Sequence, residues 1–214
     1  MRISILGAEC TGKSTLSQAL PQQLEALFGT VHLVPEYLRE WCDHHGRTPR
    51  AHEQAAVAAE QQRRVNASTN TYPCTVTDTS PLVTAVYSDL LFHDPSLYAN
   101  AVAAEHQTDV ILLTGLDLPW QADGLQRDGI AMQQRFDTRL REVLATHQLA
   151  YATVYGQGQQ RVDAAMASVH SHLRQRDPQR QATALWCWNC NNCGDAVCER
   201  HLFRRLTGDG SVGV

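Results

Sequence analysis

The chain alternates short apolar runs with longer segments of helix-favouring composition. An apolar run of about four to eight residues between turn residues is typical of a strand that is buried on both faces. The sequence predicts such strands at residues 2–6, 31–35, 74–78, 110–114 and 151–155. It predicts helices up to residue 28 and at residues 36–45, 49–66, 81–92, 95–106 and 159–175. Strands that alternate with helices imply an α/β fold with a parallel sheet covered on both faces.

Composition excludes several classes of protein. Hydrophobic residues make up 43% of the chain and charged residues 19%, which is ordinary globular usage and excludes disordered and fibrous proteins. No apolar run reaches the ~18 residues of a membrane span, and the apolar stretch at residues 3–6 is too short for a signal peptide. The net charge of -4 disfavours a nucleic-acid partner. We therefore expect a soluble cytoplasmic protein without membrane contact.

The C-terminal part of the chain differs in composition from the rest. Residues 176–214 are first rich in Arg and Gln, then carry four of the seven cysteines, and end in a glycine-rich segment. This change predicts a domain at residues 1–175 and a tail at residues 176–214. In a chain without export signals, clustered cysteines indicate metal binding before disulfides.

The cysteine cluster has the spacing of a zinc knuckle. Cys190, Cys193, Cys198 and His201 place four zinc-type ligands within twelve residues, with Cys187 as an alternative ligand. Thiolate and imidazole groups in short loops suit tetrahedral Zn²⁺, so a structural zinc site is predicted at residues 187–201. The first three cysteines also have a spacing seen around iron–sulfur clusters, although no Cys-Pro follows them. Ordinary or redox-active thiols are the third interpretation.

Residues 7–14 read Gly-Ala-Glu-Cys-Thr-Gly-Lys-Ser and fit the phosphate-binding pattern G-x-x-x-x-G-K-[ST] between a predicted strand and a predicted helix. The glycines let backbone N–H groups surround the phosphates, and the helix N-terminus adds a favourable dipole. We expect Lys13 to reach the β- and γ-phosphates of ATP and the Ser14 hydroxyl to hold Mg²⁺. Lys13 is the only lysine of the chain, whose other basic residues are arginine, so this position requires a compact ammonium group. The predicted ATP-binding residues are Gly7, Ala8, Glu9, Cys10, Thr11, Gly12, Lys13, Ser14, Thr15 and, after the fifth strand, Gly156.

The kind of P-loop protein follows from what else the chain contains. A GTPase needs a second lysine in its guanine-reading N-K-x-D motif, and this chain has none. A single P-loop with an arginine-bearing segment after the fourth strand is typical of a small-molecule kinase with a lid, here at about residues 118–136. Arg127 and Arg135 in that segment are catalytic candidates that would neutralise the transferred phosphate, with plain surface charge as the alternative.

Four segments together resemble the ribosylnicotinamide kinase domain of the NadR type. They are residues 7–15, Pro-Glu-Tyr-Leu-Arg-Glu-Trp at 35–41, Thr-Asp-Thr-Ser at 77–80 and Leu-Pro-Trp-Gln-Ala-Asp-Gly-Leu at 118–125. The resemblance covers about residues 1–175 and implies a three-layer P-loop kinase fold with five parallel strands in the order 2-3-1-4-5. It also implies ATP- and Mg²⁺-dependent phosphorylation of the 5′-hydroxyl of nicotinamide riboside, a step of NAD salvage.

Two carboxylates are expected at the sheet edge where ligands bind in open α/β folds. Asp78 ends the third strand and is predicted to hold Mg²⁺, with helix capping as its alternative role. Glu36 follows the second strand, where the resemblance points to a residue that serves the acceptor hydroxyl. Its alternative is a helix N-terminal acid that the dipole favours.

Arg39 and four aromatic residues are further substrate-binding candidates. Arg39 is expected one helical turn after Glu36 and facing the same cleft, or else as a solvated cation. Tyr37, Trp41, Tyr87 and Trp120 are candidates to stack on the base of a nucleoside, with core packing as the alternative for each.

Two other functions remain open at this stage. The chain could phosphorylate a different nucleoside or deoxynucleoside. It could instead be a nucleotide-binding sensor without turnover, whose zinc tail binds a partner. In each case a small-molecule nucleoside or nucleotide is the expected ligand, and the sequence leaves a homo-oligomer open.

Overall fold

The computed structural model describes residues 1–120 and 129–176 of the chain. Several predicted site residues lie outside the described residues. They are Arg127, Cys187, Cys190, Cys193, Cys198 and His201. The predictions for these residues, including the zinc site in the C-terminal tail, therefore stay predictions.

Five parallel strands form one sheet in the order β2-β3-β1-β4-β5, which confirms the predicted fold and strand order. The strands are β1 (Arg2–Leu6), β2 (Val31–Val34), β3 (Cys74–Asp78), β4 (Val110–Thr114) and β5 (Ala152–Val154). Every residue of β1, β3 and β4 is buried, because helices cover both faces of the sheet.

Seven α-helices connect and cover the described strands. They are α1 (Lys13–Phe28), α2 (Tyr37–His45), α3 (Gln54–Thr71), α4 (Pro81–Phe92), α5 (Tyr98–Glu105), α6 (Ile130–Thr146) and α7 (Gln159–Arg176), with a short 3₁₀ turn at Ala51–Glu53 before α3. Local chemistry sets some of these boundaries. At the start of α4 the Ser80 hydroxyl accepts a hydrogen bond from the Leu82 N–H at 3.2 Å, and Pro81 occupies the first turn, where its missing N–H costs nothing.

Helix α3 starts and ends about five residues later than the prediction of 49–66. Its last turns are rich in Asn, Ser and Thr, which have weak helix propensity. Tertiary contact stabilises them, since the buried Ser68 hydroxyl lies 2.8 Å from the Thr75 hydroxyl of β3. The helix stops at Tyr72, whose backbone is extended because the following Pro73 disfavours the helical region.

Helix α6 was not among the predicted helices. Its buried residues Phe136, Leu140, Val143 and Leu144 recur at helical spacing and pack against the core formed with α4 and β4. The glycines and arginines of residues 118–136 favour a lid, and this composition masks the apolar stripe that begins there. The predicted lid at 118–136 therefore includes the first turns of α6, where Arg135 is exposed.

By its internal contacts the chain divides into two units, Met1–His172 and Leu173–Val214. The first unit contains the whole described sheet. Of the second, the structure describes only residues 173–176, the end of α7. Within the described ranges, no helix combines the length and the apolar character that crossing a membrane requires.

Candidate active site

The carboxyl ends of the parallel strands bring the predicted site residues to one edge of the sheet. Ile5, next to the end of β1, pairs with Asp78 of β3 on one side and with Leu112 of β4 on the other. Val34 of β2 pairs with Thr77 of β3, so Glu36 follows the neighbouring strand by two residues. Open α/β sheets bind ligands at this edge.

The glycine-rich segment forms the loop between β1 and α1. Gly7 has φ +148°, and a Cβ atom there would lie 2.1 Å from the Thr114 Oγ1 of β4, so only glycine fits. Gly12 has φ +76° and precedes the first residue of α1. The loop thus has the strand-to-helix setting that phosphate binding by backbone N–H groups requires.

Hydrogen bonds from neighbouring elements hold this loop in place. The Ala8 carbonyl accepts from the Thr11 hydroxyl and from the Lys13 ammonium group, each at 2.7 Å. The Thr114 hydroxyl lies 2.7 Å from that of Thr11, and the Gln133 amide of α6 donates to the Glu9 carbonyl at 2.8 Å. The loop is therefore preorganised by β4 and α6.

Lys13 shares its surroundings with two carboxylates. Burial lowers the pKa of Lys13 from its ordinary value, while the charges of Glu36 and Asp78 oppose this shift. Burial raises the pKa of Glu36, and the Lys13 charge opposes that shift in turn. The charge of Arg39 also lowers the pKa of Lys13 and that of Glu9 raises it, so two cationic groups lie among three acidic ones, an arrangement that suits a further cation.

Asp78 provides a specific indication of where that cation would bind. The residue is 5% exposed, and its Oδ1 atom is buried without a hydrogen-bond partner among the described residues. A buried carboxylate oxygen without a donor is costly, and a cation or its water ligands would satisfy it. The oxygens of Ser14 and Asp78 are ligands that Mg²⁺ prefers, so these residues fit the ion.

A Mg²⁺ site does not need to be built from protein groups alone. Among residues 1–120 and 129–176, no cluster of three or more His, Cys, Asp and Glu side chains is arranged to hold a metal ion. Mg²⁺ is usually bound through one or two protein oxygens together with substrate phosphates and waters. The arrangement therefore fits a metal that arrives with a nucleotide.

Arg39 lies one helical turn after Glu36, as predicted. Its Nη2 atom is 3.6 Å from the Glu36 Oε2, and its side chain is 58% exposed against 12% for Glu36. An ion pair that is this open to solvent contributes little to stability. Arg39 can therefore turn towards a ligand at small cost.

The aromatic candidates differ in their surroundings. Trp41 is 9% exposed and belongs to a core cluster with Cys42 and Val57, which favours the core interpretation for this residue. Its ring stacks on that of His45, with the centroids 3.8 Å apart.

The other aromatic candidates keep at least partial exposure. Tyr37 is half-buried, with the Arg64 guanidinium 4.4 Å from its ring centroid. Tyr87 stacks on Phe136 at 4.3 Å, and Trp120 is half-buried at the end of the first described range. Base stacking by Tyr37 or Trp120 stays a prediction.

Sequence reasoning gave no site role to a buried arginine that joins three loops, one of them the glycine-rich loop. Arg161 of α7 donates through Nε to the Gly156 carbonyl at 2.7 Å, through Nη1 to the Thr11 carbonyl, and through Nη2 to the Asp117 carboxylate. Asp117 also accepts from the Gly156 N–H at 2.6 Å. Burial of Asp117 acts to raise its pKa, but these hydrogen bonds and the charge of Arg161 hold the pKa below its usual value.

A second missed residue is Gln61 of α3. Its side chain is buried and makes hydrogen bonds to backbone groups beside Glu36 and Asp78. A polar residue on the buried face of a predicted helix was the available signal, since such a residue needs hydrogen-bond partners in the interior.

A family model described as an AAA domain matches residues 2–161. A comparison with curated proteins finds no significant match. A solved structure of NadR protein in complex with NR is similar, with 19% identity and a TM-score of 0.66 over 80% of this chain and 51% of that chain. NadR protein in complex with NAD and AMP-PNP gives 18% identity and a TM-score of 0.64, over 80% and 49% of the two chains. The chain thus spans about half the length of these two proteins.

Two shorter kinases are similar over nearly their whole length. Deoxyadenosine kinase from M. mycoides has 13% identity and a TM-score of 0.56, over 80% of this chain and 100% of that chain. Thymidylate kinase from Ehrlichia chaffeensis has 13% identity and a TM-score of 0.57, over 81% and 98%. At these identities the likeness shows the fold, which is that of the P-loop kinases.

Proposed function

We propose that this chain, which belongs to the AAA domain family, is an ATP- and Mg²⁺-dependent kinase that phosphorylates the 5′-hydroxyl of a nucleoside. The observation that carries the proposal is the juxtaposition of the P-loop lysine with two carboxylates at the carboxyl edge of the sheet. Phosphoryl transfer requires positioning and charge neutralisation more than covalent chemistry by the protein. Lys13, Glu36 and Asp78 supply those functions.

Each residue has a distinct task in this reaction. ATP supplies the phosphoryl group and Mg²⁺ neutralises part of its charge. The backbone N–H groups of residues 7–14 bind the phosphates, and Lys13 offsets their negative charge. Ser14 and Asp78 hold the metal ion. Glu36 accepts the proton of the acceptor hydroxyl, and its raised pKa makes the carboxylate a stronger base than an exposed glutamate.

For the acceptor we propose nicotinamide riboside. The motifs at residues 35–41 and 118–125 support this choice, together with the fold similarity to NadR in complex with NR. A deoxynucleoside is the second candidate, because the chain is also similar in fold to a deoxyadenosine kinase that it covers completely. The proposal includes the structural zinc site in the tail, which rests on the spacing of its cysteines.

The test is ATP consumption by the purified chain with a panel of nucleosides and deoxynucleosides in the presence of Mg²⁺. We expect ADP release that depends on one acceptor, with nicotinamide riboside turned over fastest. The control is Lys13→Arg, which keeps the charge but not the compact ammonium group and should lose at least about 100-fold in kcat. Nucleotide binding without acceptor-dependent turnover would instead identify a sensor. Wild-type turnover by Lys13→Arg would remove the P-loop from the mechanism.

A further inference from the structure

Gln61 connects the two turns that carry the acidic residues of the site. Its side chain is 2% exposed. The Oε1 atom accepts from the Tyr37 N–H at 2.8 Å, and the Nε2 atom lies 3.4 Å from each of the carbonyls of Pro35 and Thr79. One amide group thus serves one donor and two acceptors of the backbone.

The three backbone groups that Gln61 contacts lie next to the two acidic residues of the site. Pro35 and Tyr37 are the residues on either side of Glu36, and Thr79 directly follows Asp78. The pairing of β2 with β3 ends at Val34 and Thr77. Beyond that pair, the Gln61 amide joins the segment that carries Glu36 to the segment that carries Asp78.

The backbone of Thr79 adds an independent observation. Its φ of +79° lies in the left-handed region, where a β-branched residue is strained. Such strain persists only where surrounding contacts determine the conformation, and it concentrates at functional sites. The Thr79 N–H donates to the Ile5 carbonyl at 3.1 Å, and the Thr79 carbonyl faces Gln61. Gln61 is therefore one of the contacts that hold the strained turn after Asp78.

We propose that Gln61 is a positioning residue that fixes the Glu36 carboxylate relative to the Asp78 carboxylate. It acts through the peptide groups next to the two acids, to which its hydrogen bonds go. This inference rests on the proposed kinase function, in which Glu36 serves the acceptor and Asp78 the metal ion. Its consequence is that both tasks depend on one buried amide of α3.

Substitution by Met removes all three hydrogen bonds at nearly constant side-chain volume. Because a displacement of about 1 Å can cost ~100-fold in rate, we expect Gln61→Met to lose about 10- to 100-fold in kcat. The Mg²⁺ concentration for half-maximal activity should rise, while the KM for ATP should change by less than about twofold, since the hydrogen bonds of Gln61 go to Pro35, Tyr37 and Thr79, outside the P-loop.

The matched control is Ser68→Ala on the same helix. Ser68 is similarly buried and joins α3 to Thr75, at the amino end of β3. This variant loses a contact of the same helix, here with β3, but away from the carboxylates. We expect it to retain wild-type kcat and the wild-type Mg²⁺ requirement even where its melting temperature falls.

Hydrogen exchange of the Tyr37 amide provides a readout that does not depend on activity. Gln61→Met should expose this amide to faster exchange. Gln61→Glu should keep it protected, because a carboxyl group still accepts from Tyr37, yet lose kcat because burial favours the protonated acid, whose single O–H cannot serve both the Pro35 and the Thr79 carbonyl. Gln61→Glu also carries the test if Gln61→Met does not fold.

The outcomes separate this inference from the function on which it rests. A wild-type chain that turns over no nucleoside overturns the proposed function, whereas the exchange experiment still reports on Gln61. Unchanged exchange at Tyr37 in Gln61→Met, or a wild-type kcat and Mg²⁺ requirement in both Gln61 variants, overturns the positioning role.

Discussion

The guanidinium group of Arg161 donates a hydrogen bond to the backbone carbonyl of Thr11, 150 positions earlier in the chain. The arginine side chain is 5% exposed, and its other donors reach Asp117 and the Gly156 carbonyl. A Cβ atom at Gly12 would lie 3.2 Å from its Nη1. The planar guanidinium group of Arg161 thus connects the phosphate-binding loop by hydrogen bonds to the loops that follow β4 and β5.

Replacement of Arg161 by Lys should weaken this junction. A lysine keeps the charge but cannot direct donors at three separated oxygens, so the Thr11 carbonyl loses its partner. We expect a loss of about 1–3 kcal/mol in the free energy of unfolding and a KM for ATP raised about tenfold, with a smaller change in kcat. Urea unfolding and steady-state kinetics measure the two effects. Arg63→Lys is the control, because Arg63 is 68% exposed and should behave like wild type.

Glu36→Gln should stabilise the fold at neutral pH. Burial raises the pKa of Glu36, so this group binds its proton more tightly in the folded than in the unfolded chain. Its contribution to stability is complete below the ordinary glutamate pKa of about 4.3 and is lost as the pH rises through the folded value. In urea unfolding, Glu36→Gln should therefore exceed wild type near pH 7 and match it below about pH 4.

The control for this prediction is Glu40, whose pKa is shifted in the opposite direction. A hydrogen bond from Arg64 lowers the pKa of Glu40, so Glu40→Gln should gain no stability at neutral pH. The activity of the Glu36→Gln variant should fall while ATP binding stays near wild type. In wild type the acidic limb of the kcat profile should lie above the ordinary glutamate range, because only the ionised carboxylate accepts a proton. A variant less stable than wild type at pH 7 would contradict the assigned burial effect.

Asp78→Asn should raise the Mg²⁺ requirement of the reaction. An amide keeps the size of the side chain but presents one neutral oxygen, which is a weaker ligand for a hard cation. We expect a severalfold higher half-saturating Mg²⁺ concentration and nearly unchanged binding of metal-free ATP. Titration of activity with Mg²⁺ measures the first effect, and calorimetry the second. Asp43→Asn, on the exposed side of α2, is the control, and a Mg²⁺ dependence shared by all three proteins would remove Asp78 from the metal site.

The C-terminal tail should bind zinc without added metal. Elemental analysis of the purified chain should find about one zinc per chain. Cys193→Ser and Cys198→Ser should lower the zinc content, and Cys187→Ser should lower it less if His201 is the fourth ligand. A chelator should leave ATP binding by the P-loop intact. Visible absorption of a brown protein would indicate an iron–sulfur cluster, and a metal-free chain would refute the site.

Local signals account for what the sequence predicted correctly. The P-loop is a contiguous motif, and β4 is a nearly continuous apolar run before turn residues, whereas the buried strands β1 and β3 also contain polar residues. Strand order came from the resemblance of four short segments to a known kinase domain. In contrast, the apolar residues of α6 are interspersed with polar residues and follow a glycine-containing segment. Such a composition is also typical of a loop.

Contacts between distant residues account for what the sequence did not show. Gln61 bonds to groups 24 and 18 positions away, and Arg161 to one 150 positions away. Neither contact can be recognised from the hydropathy pattern. That pattern indicates which face of an element is buried, but not which partner a buried polar group binds. Trp41 shows the same limit, since an aromatic residue five positions after Glu36 can face either the ligand or the α2–α3 cluster.

The close approach of Gly7 to Thr114 bears on how this chain can be re-engineered. The space that any side chain at position 7 would need is filled by a hydroxyl of β4, whose Oγ1 lies 2.1 Å from the site of a Cβ atom. A mutational library at position 7 therefore explores volume that is already taken. Shortening residue 114 in the same library opens that volume but leaves the φ of +148° at position 7, which strains any residue with a Cβ atom, so variation of this loop is best sought with Gly7 retained.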